Sequence, residues 1–156
     1  ETNIKVEVFF GGVHRGIGVF DISTASSSAW FMSEIPMLAQ FYSALPKVQS
    51  GEHGFVVADF SNHLIVKEVA KKLAKSENID ILVNNSGGPK GGTISDADVE
   101  EFTKTFEQHL LCNHVLTQAV LPGMRERGHG RIVNVISTSV KAPLNGLGVS
   151  NTIRGA

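Results

Sequence analysis

Short apolar runs alternate with longer amphipathic stretches along much of this chain. Residues 4–10 mix apolar side chains with a lysine and a glutamate, which favours a half-exposed first strand. Residues 54–59 and 79–83 are nearly continuous apolar runs that end at polar residues, as buried parallel strands do. Residues 131–136 form another such run. The pattern therefore predicts four strands.

Two segments between these runs have helical periodicity. Residues 64–75 form an amphipathic stretch, and Ser61 or Asn62 suits the N-cap. A longer helix is expected over residues 99–124, with Pro122 marking where it ends or kinks. The apolar face of the first helix comprises Ile65, Val66, Val69, Ala70 and Leu73, and that of the second includes Val99, Phe102, Phe106 and Leu110.

Strands that alternate with helices of this length indicate βαβ units and a parallel sheet. We therefore expect an α/β fold, a Rossmann-like doubly wound parallel sheet in three α/β/α layers, incomplete at the C-terminus. The whole chain, residues 1–156, is expected to be a single domain. Only residues 19–50 break the pattern. They allow helical segments over 29–45 but show no strand that ends in an acid or base able to bind an adenosine ribose.

Composition narrows the possible functions. The net charge of −1 gives no basic face for nucleic acid or for an anionic membrane. Cys112 is the only cysteine, which predicts no disulfide framework and no cysteine-based zinc site and favours the reducing cytoplasm. The histidines are scattered, so no metal site is expected. No apolar run approaches the length of a membrane span.

Glycines and polar residues follow two of the predicted strands. Gly12, Gly16 and Gly18 fit G-x-x-x-G-x-G, a spacing that suits a tight turn close to a pyrophosphate. Arg15 could pair with a phosphate, or could simply be solvated. Residues 84–88 read Asn-Asn-Ser-Gly-Gly and follow the strand over 79–83, at a carboxyl end where open α/β sheets bind ligands.

The order of these features resembles the short-chain dehydrogenase/reductase family, whose motifs include T-G-x-x-x-G-x-G and N-N-A-G. Here Gly11 replaces the threonine and Ser86 replaces the alanine. The resemblance is weak over residues 4–18 and good over 54–156. It implies NADP, or NAD, as cofactor, with Arg15 favouring NADP. The implied cofactor-binding residues are Gly12, His14, Arg15, Gly16, Ile17, Gly18, Asp59, Phe60, Asn85, Ser86 and Gly87.

The same resemblance implies the catalytic positions. The family serine that binds the substrate carbonyl aligns with Ser137, and the Tyr-x-x-x-Lys pair aligns with Ser150 and Arg154. The family's helical asparagine aligns with His109. A serine hydroxyl titrates too high to replace the tyrosine as an acid, so His109 or Lys141 is the alternative proton donor. The chain is similar to atypical 3-oxoacyl-ACP-reductase-like members that lack the Tyr-Lys pair.

Several functions stay open at this point. The resemblance implies hydride transfer between nicotinamide and a small carbonyl or alcohol substrate. A catalytically silent dinucleotide-binding or assembly module is the alternative. A hydrolase using Ser137 or Ser150 with His109 is disfavoured, because no G-x-S-x-G turn is present. Family members continue beyond this length, so we expect a fragment whose exposed strand edge promotes homo-oligomers.

Overall fold

The computed structural model describes residues 5–11, 16–21, 54–76, 78–86 and 88–156. A π-helical turn, Glu107–Leu111, joins the second and third helices without a break, and two short 3₁₀ helices span Ile94–Asp96 and Thr138–Val140. The strands are β1 (Lys5–Gly11), β2 (Gly16–Asp21), β3 (Gly54–Asp59), β4 (Ile81–Asn85) and β5 (Arg131–Asn134), and the helices are α1 (His63–Ser76), α2 (Val99–Phe106), α3 (Cys112–Glu126) and α4 (Gly148–Gly155).

The strands form one sheet in the order β3-β1-β2-β4-β5. Strand β2 runs parallel to β4, and β4 runs parallel to β5. Strand β1 is antiparallel to both of its neighbours, so β3 runs in the same direction as β2. The carboxyl ends of β2, β3, β4 and β5 therefore lie along one side of the sheet, here called the carboxyl edge. The fold is the expected Rossmann-like α/β fold in incomplete form, but the expectation of a wholly parallel sheet is wrong for β1.

The glycine-rich segment is the main departure from the predicted arrangement. Gly16, Ile17 and Gly18 lie in β2 and pair with β1, and Gly11 is opposite Gly16. Because Gly16 is also opposite Ile81 at the start of β4, these residues lie at the side of the sheet away from the carboxyl edge. β-Forming residues on both sides of a glycine-rich stretch favour a hairpin. The predicted turn residues Gly12, His14 and Arg15, like the predicted helical segments over 29–45, lie outside the described residues.

The core lies between the sheet and helices α1 and α3, which pack against each other and against β3 and β4. The predicted face of α1 is confirmed for its most buried residues, but Ile65 is 45% exposed. The second helical layer of the predicted three-layer arrangement stays a prediction. The buried core residues are Ala58, Phe60, Val66, Ala70, Leu73, Ile79, Leu82, Cys112, Val115, Leu116, Val120 and Met124.

The long helix predicted over residues 99–124 is confirmed as α2, the π turn and α3, which extend to Glu126. Pro122 lies inside the last turn of α3 and does not end the helix there. At the N-terminus of α1, the capping residue is Asn62 and not Ser61. Its Oδ1 accepts a hydrogen bond from the backbone N–H of Leu64 at 2.9 Å, while Ser61 uses its backbone N–H to bind Asp59.

We expect Asn62→Ala to lower the free energy of unfolding by about 1 kcal/mol, because the Leu64 N–H loses its capping acceptor. Urea denaturation followed by circular dichroism measures the change. Ser61→Ala is the matched control and should change stability by less than about 0.5 kcal/mol, as surface substitutions usually do. Equal losses in the two variants would contradict the assignment of the cap.

Cys112 joins α3 to the turn after β3. The residue is fully buried, and its Sγ–H donates to the carbonyl oxygen of Phe60 at 3.3 Å. Burial, followed by the negative charges of Glu107 and Asp59, raises the pKa of the Cys112 thiol from 9.0 to about 12. The folded protein therefore keeps a proton that the unfolded chain releases more readily.

This difference predicts a specific pH dependence of stability. The folded state binds the thiol proton more tightly, so the contribution of Cys112 is complete below pH 9.0 and declines as pH rises toward 12. Other groups titrate in this range, so the comparison uses Cys112→Ala. We expect the variant's free energy of unfolding, measured by urea titration at each pH, to fall less steeply above pH 9 than that of the wild type. Parallel slopes would contradict the raised pKa.

Candidate functional site

Two asparagines join the carboxyl ends of β4 and β5. Asn84 is almost fully buried, and its Nδ2 donates to Oδ1 of Asn134 at 2.8 Å. Strand pairing also places these two residues opposite each other. The bond holds the two chain segments together where they leave the sheet. The residues that follow, Ser86 and Val135, therefore start from fixed positions.

Ser86 and His109 form a buried polar pair at this edge. The Oγ of Ser86 lies 2.7 Å from Nδ1 of His109, and the two residues are 5% and 8% exposed. Which atom donates depends on the histidine tautomer. His109 belongs to the π turn, a wider helical turn that often occurs at functional sites. The turn thus contributes an imidazole to the end of β4.

The π turn is also tied to α1. One carboxylate oxygen of Glu107, Oε1, accepts a hydrogen bond from the backbone N–H of His63 at 2.6 Å and lies 2.7 Å from the His63 Nδ1. His63 is the first residue of α1, where free backbone N–H groups favour a negative charge. The π turn therefore contacts α1 through Glu107 and the end of β4 through His109.

Arg154 reaches the same turn from α4. Its Nη2 donates to the carbonyl oxygen of Ser86 at 3.3 Å, and Gly88 lies beside the guanidinium group. The residue is half-buried, and desolvation by burial lowers the pKa of its side chain. The structure thus brings together Ser86, His109 and Arg154, with Ser86 in contact with the other two.

The serines predicted to take part in catalysis lie near the end of β5 and on α4. Ser137 is half-buried and caps the 3₁₀ helix Thr138–Val140, where its Oγ accepts from the Ser139 N–H at 3.2 Å. The Ser139 hydroxyl donates to the same oxygen at 2.9 Å. Ser150 lies on α4 and is buried, with 6% exposure. Lys141 is exposed.

The remaining predicted cofactor residues are distributed along the carboxyl edge. Asp59 ends β3, and its Oδ1 accepts from the backbone N–H of Ser61. Two strands separate β3 from β4, a span of about 14 Å at the usual strand spacing. The Phe60 side chain is fully buried in the core, and the assignment of this residue to the cofactor site stays a prediction. Asn85 is half-buried at the end of β4, and Gly87 lies outside the described residues.

A dinucleotide fits only part of this arrangement. The carboxyl edge offers the hydroxyl, amide and guanidinium groups that bind a ribose or phosphate oxygen. Gly16 and Gly18, the described part of the predicted pyrophosphate cradle, do not fit, because the β1–β2 ladder and the β2–β4 ladder place them at the opposite side of the sheet. Those predicted cofactor residues that the structure describes therefore do not form one surface.

Two features of the site were missed from the sequence. The Glu107–His63 contact joins residues 44 apart, and no local pattern indicates it. The Asn84–Asn134 pair could have been found, because Asn84 follows one predicted strand and Asn134 lies within the next predicted strand. Among the described residues, no group of three or more histidine, cysteine, aspartate or glutamate side chains could hold a metal ion. The described helices likewise include none long and apolar enough to cross a membrane.

The chain matches the family model of short chain dehydrogenases over residues 12–149. It is 43% identical over 63 residues to the ketoacyl reductase HetN of Nostoc, covering 40% of this chain and 22% of that protein. It is 39% identical over 90 residues to the NADP-dependent 3-hydroxy acid dehydrogenase YdfG of Shigella flexneri, covering 56% of this chain and 36% of that protein. The structure of serine dehydrogenase from Escherichia coli superposes with a TM-score of 0.60 at 31% identity, covering 77% of this chain and 55% of that one.

The chain thus spans about a fifth to a third of the length of these two curated relatives. The family match includes β2 to β5, the π turn and the first residues of α4. It therefore covers Ser86, His109 and Ser137 but stops at residue 149, before Arg154.

The Ser86–His109 pair predicts coupled effects on stability. We expect Ser86→Ala and His109→Gln each to destabilise the fold, with a coupling energy of about 1 kcal/mol in a double-mutant cycle, because they remove one buried hydrogen bond. Urea denaturation of the four proteins measures the coupling. Ser95→Ala combined with His109→Gln is the control cycle and should be additive, since Ser95 is exposed and binds Thr93 and Asp96. Additivity in both cycles would contradict the pair.

Proposed function

Because the chain belongs to the short chain dehydrogenase family, we propose that it is part of an NAD(P)-dependent oxidoreductase of the short-chain type. Its reaction is hydride transfer between nicotinamide and a small carbonyl or alcohol substrate. The observation that carries this proposal is the family match over residues 12–149. The match covers Ser86 after β4, Ser137 after β5 and His109 in the π turn. NADP is the favoured cofactor, since the name of one relative, YdfG, specifies it and Arg15 is suited to a phosphate.

The described residues have limited roles in this proposal. The Ser137 hydroxyl is half-buried at the end of β5 and can hydrogen-bond a substrate oxygen. Arg154 supplies a positive charge beside the turn after β4. Ser150 is buried and cannot act as the tyrosine does. The alternative proton donors are His109, which lies beside Ser86, and the exposed Lys141. The nicotinamide cofactor supplies the hydride chemistry when it is bound.

A catalytically silent dinucleotide-binding module is the second candidate. One specific observation distinguishes it from the enzyme: the catalytic tyrosine position holds the buried Ser150. Both candidates share a cofactor, so they separate only when binding and hydride transfer are measured on the same preparation.

Further properties are proposed with the oxidoreductase function. We propose a single domain over residues 1–156, a cytoplasmic location and self-association. Self-association is supported by β5, an edge strand of the described sheet, in which Val133 is 47% exposed and after which Val135 is 46% exposed. Such an edge is open to pairing with another strand.

Isothermal titration calorimetry with NADPH and NADH tests the proposal directly. We expect saturable binding of both, tighter for NADPH, because Arg15 can pair with the additional phosphate. Arg15→Gln should reduce the preference for NADPH by about tenfold, the size expected from losing one charge-assisted hydrogen bond. Arg131→Gln is the matched control, since Arg131 is exposed at the start of β5.

The outcome depends on a folded sample, which circular dichroism establishes first. Absence of binding by a folded chain would overturn the proposal for this chain. Binding of NADPH without reduction of any of a series of aldehydes, ketones and oxo acids would favour the silent module. Consumption of NADPH with one of these carbonyl compounds would support the oxidoreductase.

A further inference from the structure

Arg154 carries a positive charge that no described carboxylate neutralises. The ion pairs in the described part of the chain join His63 to Glu107, Lys71 to Glu68 and Arg127 to Asp80. Arg154 donates to one neutral acceptor, the Ser86 carbonyl oxygen, and its buried Nε–H has no hydrogen-bond partner among the described residues. A half-buried guanidinium group that has one neutral acceptor and no carboxylate partner is costly to desolvate.

Arg127 shows how this chain compensates another partly buried arginine. The Nε of Arg127 lies 3.2 Å from Oδ1 of Asp80, and Nη2 lies 3.1 Å from the same oxygen. Nη2 also donates to the backbone carbonyl of Ile79. Both arginines therefore bind a backbone carbonyl at an end of β4, but only Arg127 also has a carboxylate. Arg154 lies at the carboxyl edge, where open α/β sheets bind ligands.

We propose that Arg154 and Gly88 form a binding site for an oxyanion, the carboxylate or phosphate group of a small-molecule ligand. A guanidinium group presents parallel N–H donors that match the two oxygens of such a group. A Cβ at Gly88 would lie 3.6 Å from Nη2 of Arg154, so the glycine leaves the side of the guanidinium group open. Ser86, held by His109, fixes the carbonyl that orients the arginine.

This inference deepens the proposed function, on which it rests for the identity of the ligand. If the anion is a carboxylate, the substrate is a hydroxy or oxo acid rather than a neutral carbonyl compound. If the anion is a phosphate, Arg154 binds the cofactor or a phosphorylated substrate. In both cases the negative charge of the ligand compensates the half-buried guanidinium group, and the chemistry at Arg154 is the same.

The test compares three probes by isothermal titration calorimetry: inorganic phosphate, sodium 3-hydroxybutyrate and the neutral methyl 3-hydroxybutyrate. We expect the wild-type chain to bind at least one of the two anions and to bind the ester on the order of tenfold more weakly. Arg154→Gln should weaken anion binding by about tenfold to a hundredfold, the range for hydrogen bonds to charged groups. Arg131→Gln removes the same charge from an exposed arginine at the opposite end of β5 and should bind as the wild type does.

Two further variants separate the site from the stability of the fold. Arg154→Lys keeps the charge but loses the paired donors, so its anion affinity should lie between those of the wild type and Arg154→Gln. Gly88→Val keeps Arg154 and places methyl groups against it, so it should also weaken binding. Circular dichroism melting verifies the fold of each variant. A folded Gly88→Val chain with wild-type anion affinity would overturn the proposal.

The remaining outcomes are equally decisive. Binding of 3-hydroxybutyrate alone assigns the site to a substrate carboxylate, and binding of phosphate alone assigns it to a phosphate group. Failure of the wild type to bind either anion, or equal weakening in Arg154→Gln and Arg131→Gln, overturns the site. NADPH binding without anion binding would leave the proposed function standing while this inference fails. Anion binding without NADPH binding would leave the anion site at Arg154 standing while the proposed function fails.

Discussion

Burial of β4 beneath helices α1 and α3 is the constraint on which the other features depend. Leu82 is fully buried in this strand, and Phe60, Val66 and Leu116 surround the same core from the turn after β3 and from the two helices. Removing this much apolar surface from water is the main source of stability for a single core of this size. It also fixes the end of β4, so that the next residues leave the sheet in a defined direction. The site at the carboxyl edge is therefore a consequence of the core.

Three residues that differ from the family pattern lie next to one another at that edge. Ser86 replaces an alanine of the N-N-A-G motif, while His109 and Arg154 occupy positions that resemble the family's asparagine and lysine. Ser86 contacts both of the others, one through its hydroxyl and one through its carbonyl. A buried hydroxyl without a partner costs free energy, so Ser86 suits a site that also contains His109. The three residues therefore form one connected polar group, and their differences from the family pattern are not independent of one another.

Local sequence patterns predicted most of the described elements but not their relative placement. The apolar face of α1 and the long periodicity of α2 and α3 specify helices. Burial does not follow that periodicity throughout, because Val99 and Phe106 on the predicted face are 76% and 42% exposed. Ser86, His109 and Arg154 were predicted as separate site residues, and contacts across 23 and 68 residues bring them together. The position of Gly16 and Gly18 was not predictable, because a glycine-rich stretch after a strand is compatible with both a phosphate-binding turn and a hairpin. Whether the glycines form a turn or a hairpin depends on which strand pairs with β4.

The π turn has a consequence for the evolution of this chain. A π turn holds one residue more than an α-helical turn, so deleting one residue from Glu107–Leu111 would restore a regular helix and rotate α2 relative to α3 by about 100°. With α3 fixed in the core, Glu107 would then turn away from His63, and Phe106 and Phe102 would face different neighbours. A single amino-acid replacement in this turn can leave the orientation of α2 unchanged. A change of length alters that orientation in one step. The segment should therefore keep its length among homologous proteins even where its residues vary.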